Sequence, residues 1–414
     1  MSQPGVERLS REFVKFWLGQ SVSLLGNQFT LLALPIAAAV TLHATPLEMG
    51  VLGAMRFAPA LLAGPPAGVW ADRARRRPLL VAAQTLSATA LVTIPLAALL
   101  GVLTLGQLYA VAFVAGVAAT FQGVVLPAYV PAIAGRDRLV EANTRLFASM
   151  TVANLVGPGL AGAAVQVLTA PIAIGFDAIT FVVGAATAAW ARVREPAPTP
   201  STRSAVRDAI EGLEWMWTQP LLRAIGLTIL INSGGSSITA AVYFLYFVNI
   251  AGMTPGQVGL VFAVAGLTSL LGARLSRPLV RRGWLGSVMA VGAMLVVVGQ
   301  AGALVAAYGP HRLAFPILIG FSAVLGCALM VYNVSQASIR QAVTPDRLLG
   351  RAQSAMFVLV SLAAVAGSLA GGAIGQAFGL RAAIAVGTLV VLMSPLPTIL
   401  SPLRRLREVP ALAT

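Results

Sequence analysis

Two charged side chains lie well inside apolar stretches of this 414-residue chain: Arg56 in MGVLGAMRFAPALL and Asp177 in IAIGFDAITFVV. An ionised group at the centre of a membrane helix costs about 2.5–3.5 kcal/mol on insertion scales, so each needs a partner or a task. Counted from the start of its own stretch, Arg56 is about 13 Å deep and Asp177 about 10 Å deep at the helical rise. The two are expected to meet at one depth. Such a pair is either a salt bridge that neutralises itself or a proton-sensitive switch in which Asp177 titrates. Glu48, at the outer end of the Arg56 stretch, is a third group placed for proton exchange.

Polar residues recur at helical spacing in other stretches. Gln20, Ser23, Asn27 and Thr30 share one face, Asn232, Ser236, Thr239 and Tyr243 a second, and Asn333, Gln336 and Arg340 a third. These faces either line a cavity or bond neighbouring helices to each other. What the chain lacks excludes other chemistry. Lys15 is the single lysine, so neither a phosphate-binding P-loop nor a lysine Schiff base is expected. Cys327 is the single cysteine, and His43 and His311 are the only histidines, which leaves no disulfide and no metal cluster to expect. No histidine stands at useful spacing from a carboxylate, so an enzyme is not expected, and no cofactor is implied.

The elements that carry these residues follow from composition. The chain is 58% hydrophobic and 10% charged with a mean hydropathy of +0.86, against about 45–50% apolar and 25% charged in soluble domains. Stretches of about 20 apolar residues, long enough to cross a bilayer, begin near Phe13, Leu47, Pro78, Gly106, Ala142, Ala170, Leu221, Thr254, Trp284, Leu313, Arg351 and Arg381. The expected fold is therefore all-α, a polytopic membrane protein of twelve helices. The one long break, rich in Pro, Thr, Ser and charge, divides it into an N-terminal six-helix bundle (1–192), a linker (193–220) and a C-terminal six-helix bundle (221–414). Within the break, SAVRDAIEGLEWMW sets Val206, Ile210, Leu213 and Trp217 on one face of an amphipathic helix expected in the membrane interface, as a spacer or a regulatory element.

The formal charge of +15 is distributed by side. Basic clusters follow the even-numbered stretches and precede the first, whereas the loops after odd-numbered stretches hold only Arg312 and Arg381. The positive-inside rule then places both termini in the cytoplasm. The charge is topological, the expected partner surface is the lipid bilayer, and nucleic acid is not expected. No cleavable signal is read at the N-terminus. No association seam stands out, so a monomer is expected. An arginine- and alanine-rich, lysine-poor composition points to a GC-rich bacterial genome and thus to a bacterial inner membrane.

The halves also repeat. AYVPAIAGRDRLVEANTR at Ala128 aligns with ASIRQAVTPDRLLGRAQS at Ala337 at an offset of 209, and GPGLAG at Gly157 lies over GSLAGG at Gly367 at an offset of 210. Between the second and third stretches, GVWADRARRRPLL packs Asp72, Arg73, Arg75, Arg76 and Arg77 into six positions. A basic cluster alone would anchor a helix end. The lone acid is not needed for that.

This motif resembles the signature of the major facilitator superfamily through Gly68, Asp72, Arg73, Arg76 and Arg77, and the resemblance covers about Phe13 to Arg405. It implies two pseudo-symmetric six-helix bundles that alternate access around a midplane site. It also implies that Asp72 joins the bundles on the cytoplasmic side in the outward-facing state, with Arg73 and Arg76 orienting it. In the second half Ser276 replaces the aspartate, so the joint is expected to be asymmetric. Gly157, Pro158 and Gly162 partly match the family's antiporter motif, with Ala161 and Ala153 in place of glycines; tight packing alone also accounts for them. Ala119 replaces the arginine of the proton-linked motif ahead of Gln122, which leaves coupling to Asp177, Arg56 and Glu48.

In the resembled family, spans 1, 4, 7 and 10 line the cavity. That implies a lining of Asn27, Thr30, Gln122, Tyr129, Asn232, Ser236, Tyr243, Asn333 and Gln336. Without a cluster of like charge, these groups favour a bulky amphipathic solute over a small anion. LGNQFTLLALP, RFAPALLAGPPAG, FDAITFVVGA and TPDRLLGRAQS are similar to phrases of bacterial macrolide-efflux and siderophore-exporter proteins. The resemblance implies a proton-coupled efflux antiporter for a drug-like small molecule or secondary metabolite, with a nutrient importer or uniporter as the alternative.

Overall fold

The computed structural model describes residues 9–191, 193, 195, 205–281 and 285–405, with the side chains at 65, 69, 72, 205–209, 277, 280, 281, 346, 347, 404 and 405 outside that description. The first six membrane helices are α1 (Arg11–Ile36), α2 (Pro46–Arg73), α3 (Arg76–Leu99), α4 (Leu105–Ala134), α5 (Leu139–Leu168) and α6 (Ala170–Trp190). A short helix α7 (Ala205–Thr218) precedes α8 (Pro220–Leu245), α9 (Pro255–Arg281), α10 (Leu285–Tyr308), α11 (Ala314–Val343) and α12 (Asp346–Phe378). The last span is broken into α13 (Leu380–Leu392) and α14 (Leu396–Leu400) around Pro395.

Among the described residues, 12 spans are long and apolar enough to cross a membrane, and they begin within a few residues of the expected positions. Capping explains the sharp starts. Thr45 accepts from Glu48 N while Glu48 bonds back to Thr45 N, a reciprocal box that satisfies two end donors of α2. Ser10 and Thr104 cap α1 and α4 through Phe13 N and Gln107 N.

An even number of spans brings both chain ends to one side of the fold, called here the near face. In the first half α1 packs on α5 and α6, and α3 on α4 and α6; in the second, α8 packs on α12 and α13, and α10 on α11. The halves meet through α2 against α12 and α5 against α9. The repeat read from sequence is visible in the backbone, because α1 and α8 both end in a π-turn, Ala37–Thr41 and Tyr246–Ile250.

The central helix forms but turns a different face inward than expected. Met216 is 2% exposed, Gly212 is buried and Ile210 is 50% exposed. A Cβ on Gly212 would collide with the Arg351 carbonyl of α12, and Glu211 pairs with Arg351 at 2.5 Å. Docking on α12 selects the small residue that permits close approach, so the helix packs on protein through Gly212 and Met216. Val206 lies outside the described side chains.

Candidate functional site

Where the two halves meet, glycines take the place of side chains. A Cβ on Gly50 of α2 would lie 2.9 Å from Cα of Gly372 in α12, and one on Gly162 of α5 would lie 2.9 Å from Cα of Gly259 in α9. Real Cβ atoms essentially never come within 3.0 Å, so no other residue fits without a shift. Gly50 and Gly259 are 209 positions apart and Gly162 and Gly372 are 210 apart, the offsets of the repeat. The second crossing is thus built from the symmetry mates of the first. Both lie within about 10 Å of the helix ends opposite the termini, the far face, at the helical rise.

The span-5 motif therefore packs on two sides. Gly157 meets the side chain of Gln28 in α1, whose Nε2 donates to Asn154 Oδ1 at 2.7 Å, while Gly162 faces α9 and Pro158 O lies against Gly259.

Three polar residues are exposed on helix stripes that otherwise face protein. On α2, Met49, Leu52, Ala60, Ala63 and Ala67 are buried, and Leu47 and Leu62 are exposed on the opposite side. Arg56 stands four or seven residues from four of the buried set, on the same helical stripe, yet its side chain is exposed. An exposed residue on a protein-facing stripe is one that the neighbouring helices leave uncovered. Asn27 repeats the pattern on α1, exposed among buried Phe16, Gln20, Ser23 and Leu34, and Asn333 repeats it on α11, exposed among buried Ser322, Gly326 and Gln336. Arg56 and Asn27 lie roughly 15 Å from the far-face ends of their helices and Asn333 roughly 28 Å. The glycine crossings stand between this level and the far face.

The remaining predicted lining residues divide. Gln122, Asn232 and Tyr243 are half-buried, the last with its ring 4.0 Å from that of Phe247. Three others are turned into the protein. Ser236 donates to Gln300 Oε1 of α10 at 2.9 Å, Tyr129 is 0% exposed against the Phe16 ring, and Gln336 is buried with Oε1 unbonded among the described residues. Their helical spacing was right, but each face is wide enough for neighbouring helices to claim its flank.

The expected Arg56–Asp177 pair does not form. Arg56 forms no ion pair among the described residues, and its guanidinium lies 5.6 Å from the centre of the Phe57 ring. Asp177 is 0% exposed between α6 and α1. Its Oδ1 accepts from Thr180 Oγ1 at 3.1 Å, while Thr30 Oγ1 is near but outside hydrogen-bond geometry, leaving it and Oδ2 unbonded. Depth alone suggested the pairing; the rotation of α2 leaves Arg56 exposed and that of α6 sends Asp177 to α1. Glu48 is committed to the α2 capping box.

At the near face, α2 ends at Arg73 and α3 begins at Arg76. Arg73 is exposed, Gly68 is half-buried, and the Asp72 side chain lies outside the described ones. Sequence reading missed Glu195, just beyond α6. Its carboxylate accepts from Arg76 N at 2.6 Å and Arg77 N at 2.9 Å, and Arg77 Nε donates to Ala188 O at 3.0 Å. An acid at a helix start satisfies free N–H groups and the helix dipole together. A lone acid after span 6 at the same membrane face as an uncapped helix start was the available signal.

The sequence profile of the Major Facilitator Superfamily matches residues 16–309. The chain belongs to that superfamily. The chain is 27% identical over 396 residues to the multidrug efflux pump Tap of Mycolicibacterium fortuitum, with 92% of this chain and 93% of that one covered. It is 25% identical over 350 residues to the enterobactin exporter EntS of Citrobacter koseri, covering 82% and 79%. Its fold matches the crystal structure of the nucleoside transporter NupG (D323A mutant), with a TM-score of 0.76 at 13% identity over 94% of this chain and 99% of that one. Major Facilitator Superfamily members of this fold are transporters, and this one is a multi-pass membrane protein.

Proposed function

We propose that this transporter exports a small organic molecule across a bacterial inner membrane in exchange for protons, with both termini cytoplasmic. The observation that supports the reading is the exposure of Arg56, Asn27 and Asn333 on protein-facing helix stripes, with two glycine crossings between them and the far face. In this reading the three residues line one internal cavity, and a cavity barred on one side is one of the two states that alternating access requires. The basic clusters at the near-face helix ends support assigning that face to the cytoplasm. Export is supported by the likeness to Tap and EntS and by the Gly157–Pro158–Gly162 motif.

In this reading residues 1–192 and 221–414 rock as two bundles, and 193–220 link them. Asp72, with Gly68, Arg73, Arg76 and Arg77, closes the near face in the opposite state. Asp177, a sealed carboxylate beside the hydroxyls of Thr30 and Thr180, takes up the proton. Purified protein in vesicles, loaded with candidate compounds under an imposed pH gradient, tests this. Export driven by the gradient is expected. Counterflow with no gradient dependence would make it a uniporter, and gradient-driven uptake toward the near face would make it an importer.

A further inference from the structure

We infer that the deep end of the cavity binds an organic anion, with the Arg56 guanidinium holding its carboxylate or sulfonate oxygens. This rests on the transport reading above and narrows its substrate class.

The charge balance carries the inference. Of the 13 acidic residues in the chain, only Glu48 and Asp177 fall within the far-face half of the membrane helices; the others stand in sequence beside the near-face ends. Both are already engaged. Glu48 closes the α2 capping box about two turns outward of Arg56, and Asp177 is sealed at the α1–α6 contact with Thr180. Arg56 is thus an exposed cation deep in the span, with no carboxylate partner among the described residues. The α2 backbone at this level packs closely on α4, where a Cβ on Gly116 would lie 2.9 Å from Arg56 O.

A guanidinium presents a planar fork of donors that matches a carboxylate or sulfonate in two hydrogen bonds. In a cavity walled by apolar helices that attraction is screened less than in water. The neighbouring Phe57 ring and the exposed amide of Asn27 at similar depth suit an aromatic or amphipathic body behind the anionic group. Arg340, half-buried three residues from the near-face end of α11, is a second positive charge on the stripe of Gln336. A cationic solute would meet repulsion at the level of Arg56, where no free acid offsets it. The sequence faces pointed away from small anions because they hold no cluster of like charge; Arg56, on another helix, was not counted among them.

The test uses the full chain in phosphatidylcholine nanodiscs and three probes on one scaffold: 2-naphthoate, 2-naphthamide and 2-naphthylmethylammonium. Wild-type protein is expected to bind naphthoate at least about tenfold more tightly than the amide and to disfavour the ammonium. Arg56→Gln should bring naphthoate to the level of the amide, and Arg56→Lys should keep most of the preference, which separates lost charge from lost folding. Equal or cation-favouring binding by the wild type, no binding of naphthoate, or an anion preference that survives Arg56→Gln would overturn the inference. Movement of the probes across vesicles is measured separately. Anion-selective binding without movement would count against the transport reading and leave the site standing.

Discussion

Oδ1 of the buried Asp177 lies 2.7 Å from where a Cβ on Gly26 would be, so the carboxylate of α6 occupies the space a side chain of α1 would fill. Thr180 shares that space and donates to the same carboxylate. Gly26→Ala is therefore expected to displace both groups and destabilise the protein by about 1–3 kcal/mol, the usual range for overpacking. Thermal unfolding in detergent checks this. Adding Thr180→Ala should recover part of the loss, and a Gly26→Ala protein as stable as wild type would remove the steric account.

Asp177→Asn separates a packing role from proton uptake. The amide keeps the shape and the acceptor for Thr180, so insertion and melting should change little, while gradient-driven transport should fall at least tenfold. Full proton-driven transport by this variant would dismiss Asp177 as the coupling group.

Glu195 fixes the start of α3 through two backbone N–H groups. Losing an N-terminal cap costs about 1 kcal/mol. Glu195→Ala is expected to lose about that much, with hydrogen exchange rising first at Arg76 and Arg77. Protection unchanged at those two amides would show that another group serves the helix end.

Gly212 sits where a Cβ would strike the Arg351 backbone, so Gly212→Val should lift α7 from α12. The readout is maleimide labelling of a cysteine placed at the buried Met216 in a Cys327→Ser background. Labelling at least several-fold faster than in the Gly212 parent is expected; equal rates would mean that α7 is held elsewhere.

The spans, the repeat and the near-face motif were legible from sequence because each rests on local composition or on fixed spacing. Rotation of a helix was not legible. Asn27 and Ser236 both carry polar side chains on regular faces, yet the first is exposed and the second bonds Gln300 of a neighbouring helix, since a twist that leaves spacing unchanged redirects the face. Arg56 and Asp177 were paired on depth and separated by the same effect. The glycine crossings were half visible: Gly162 stood out in its motif, whereas Gly50 lies in an ordinary apolar run and acquires meaning only through Gly372, more than 300 positions away. Glu195 escaped notice because its partners are backbone groups, which carry no residue signature.

The central claim is that the far face opens and closes at the two glycine crossings. It is tested most directly by electron–electron distance measurement between spin labels at Leu47 and Phe378, exposed positions near the far-face ends of α2 and α12, in a Cys327→Ser background. The wild-type protein should give a short distance, and Gly50→Leu, which wedges the crossing apart, should move most of the population to a longer one and reduce transport in parallel. An identical distance distribution in the two proteins, with transport retained, would contradict the account.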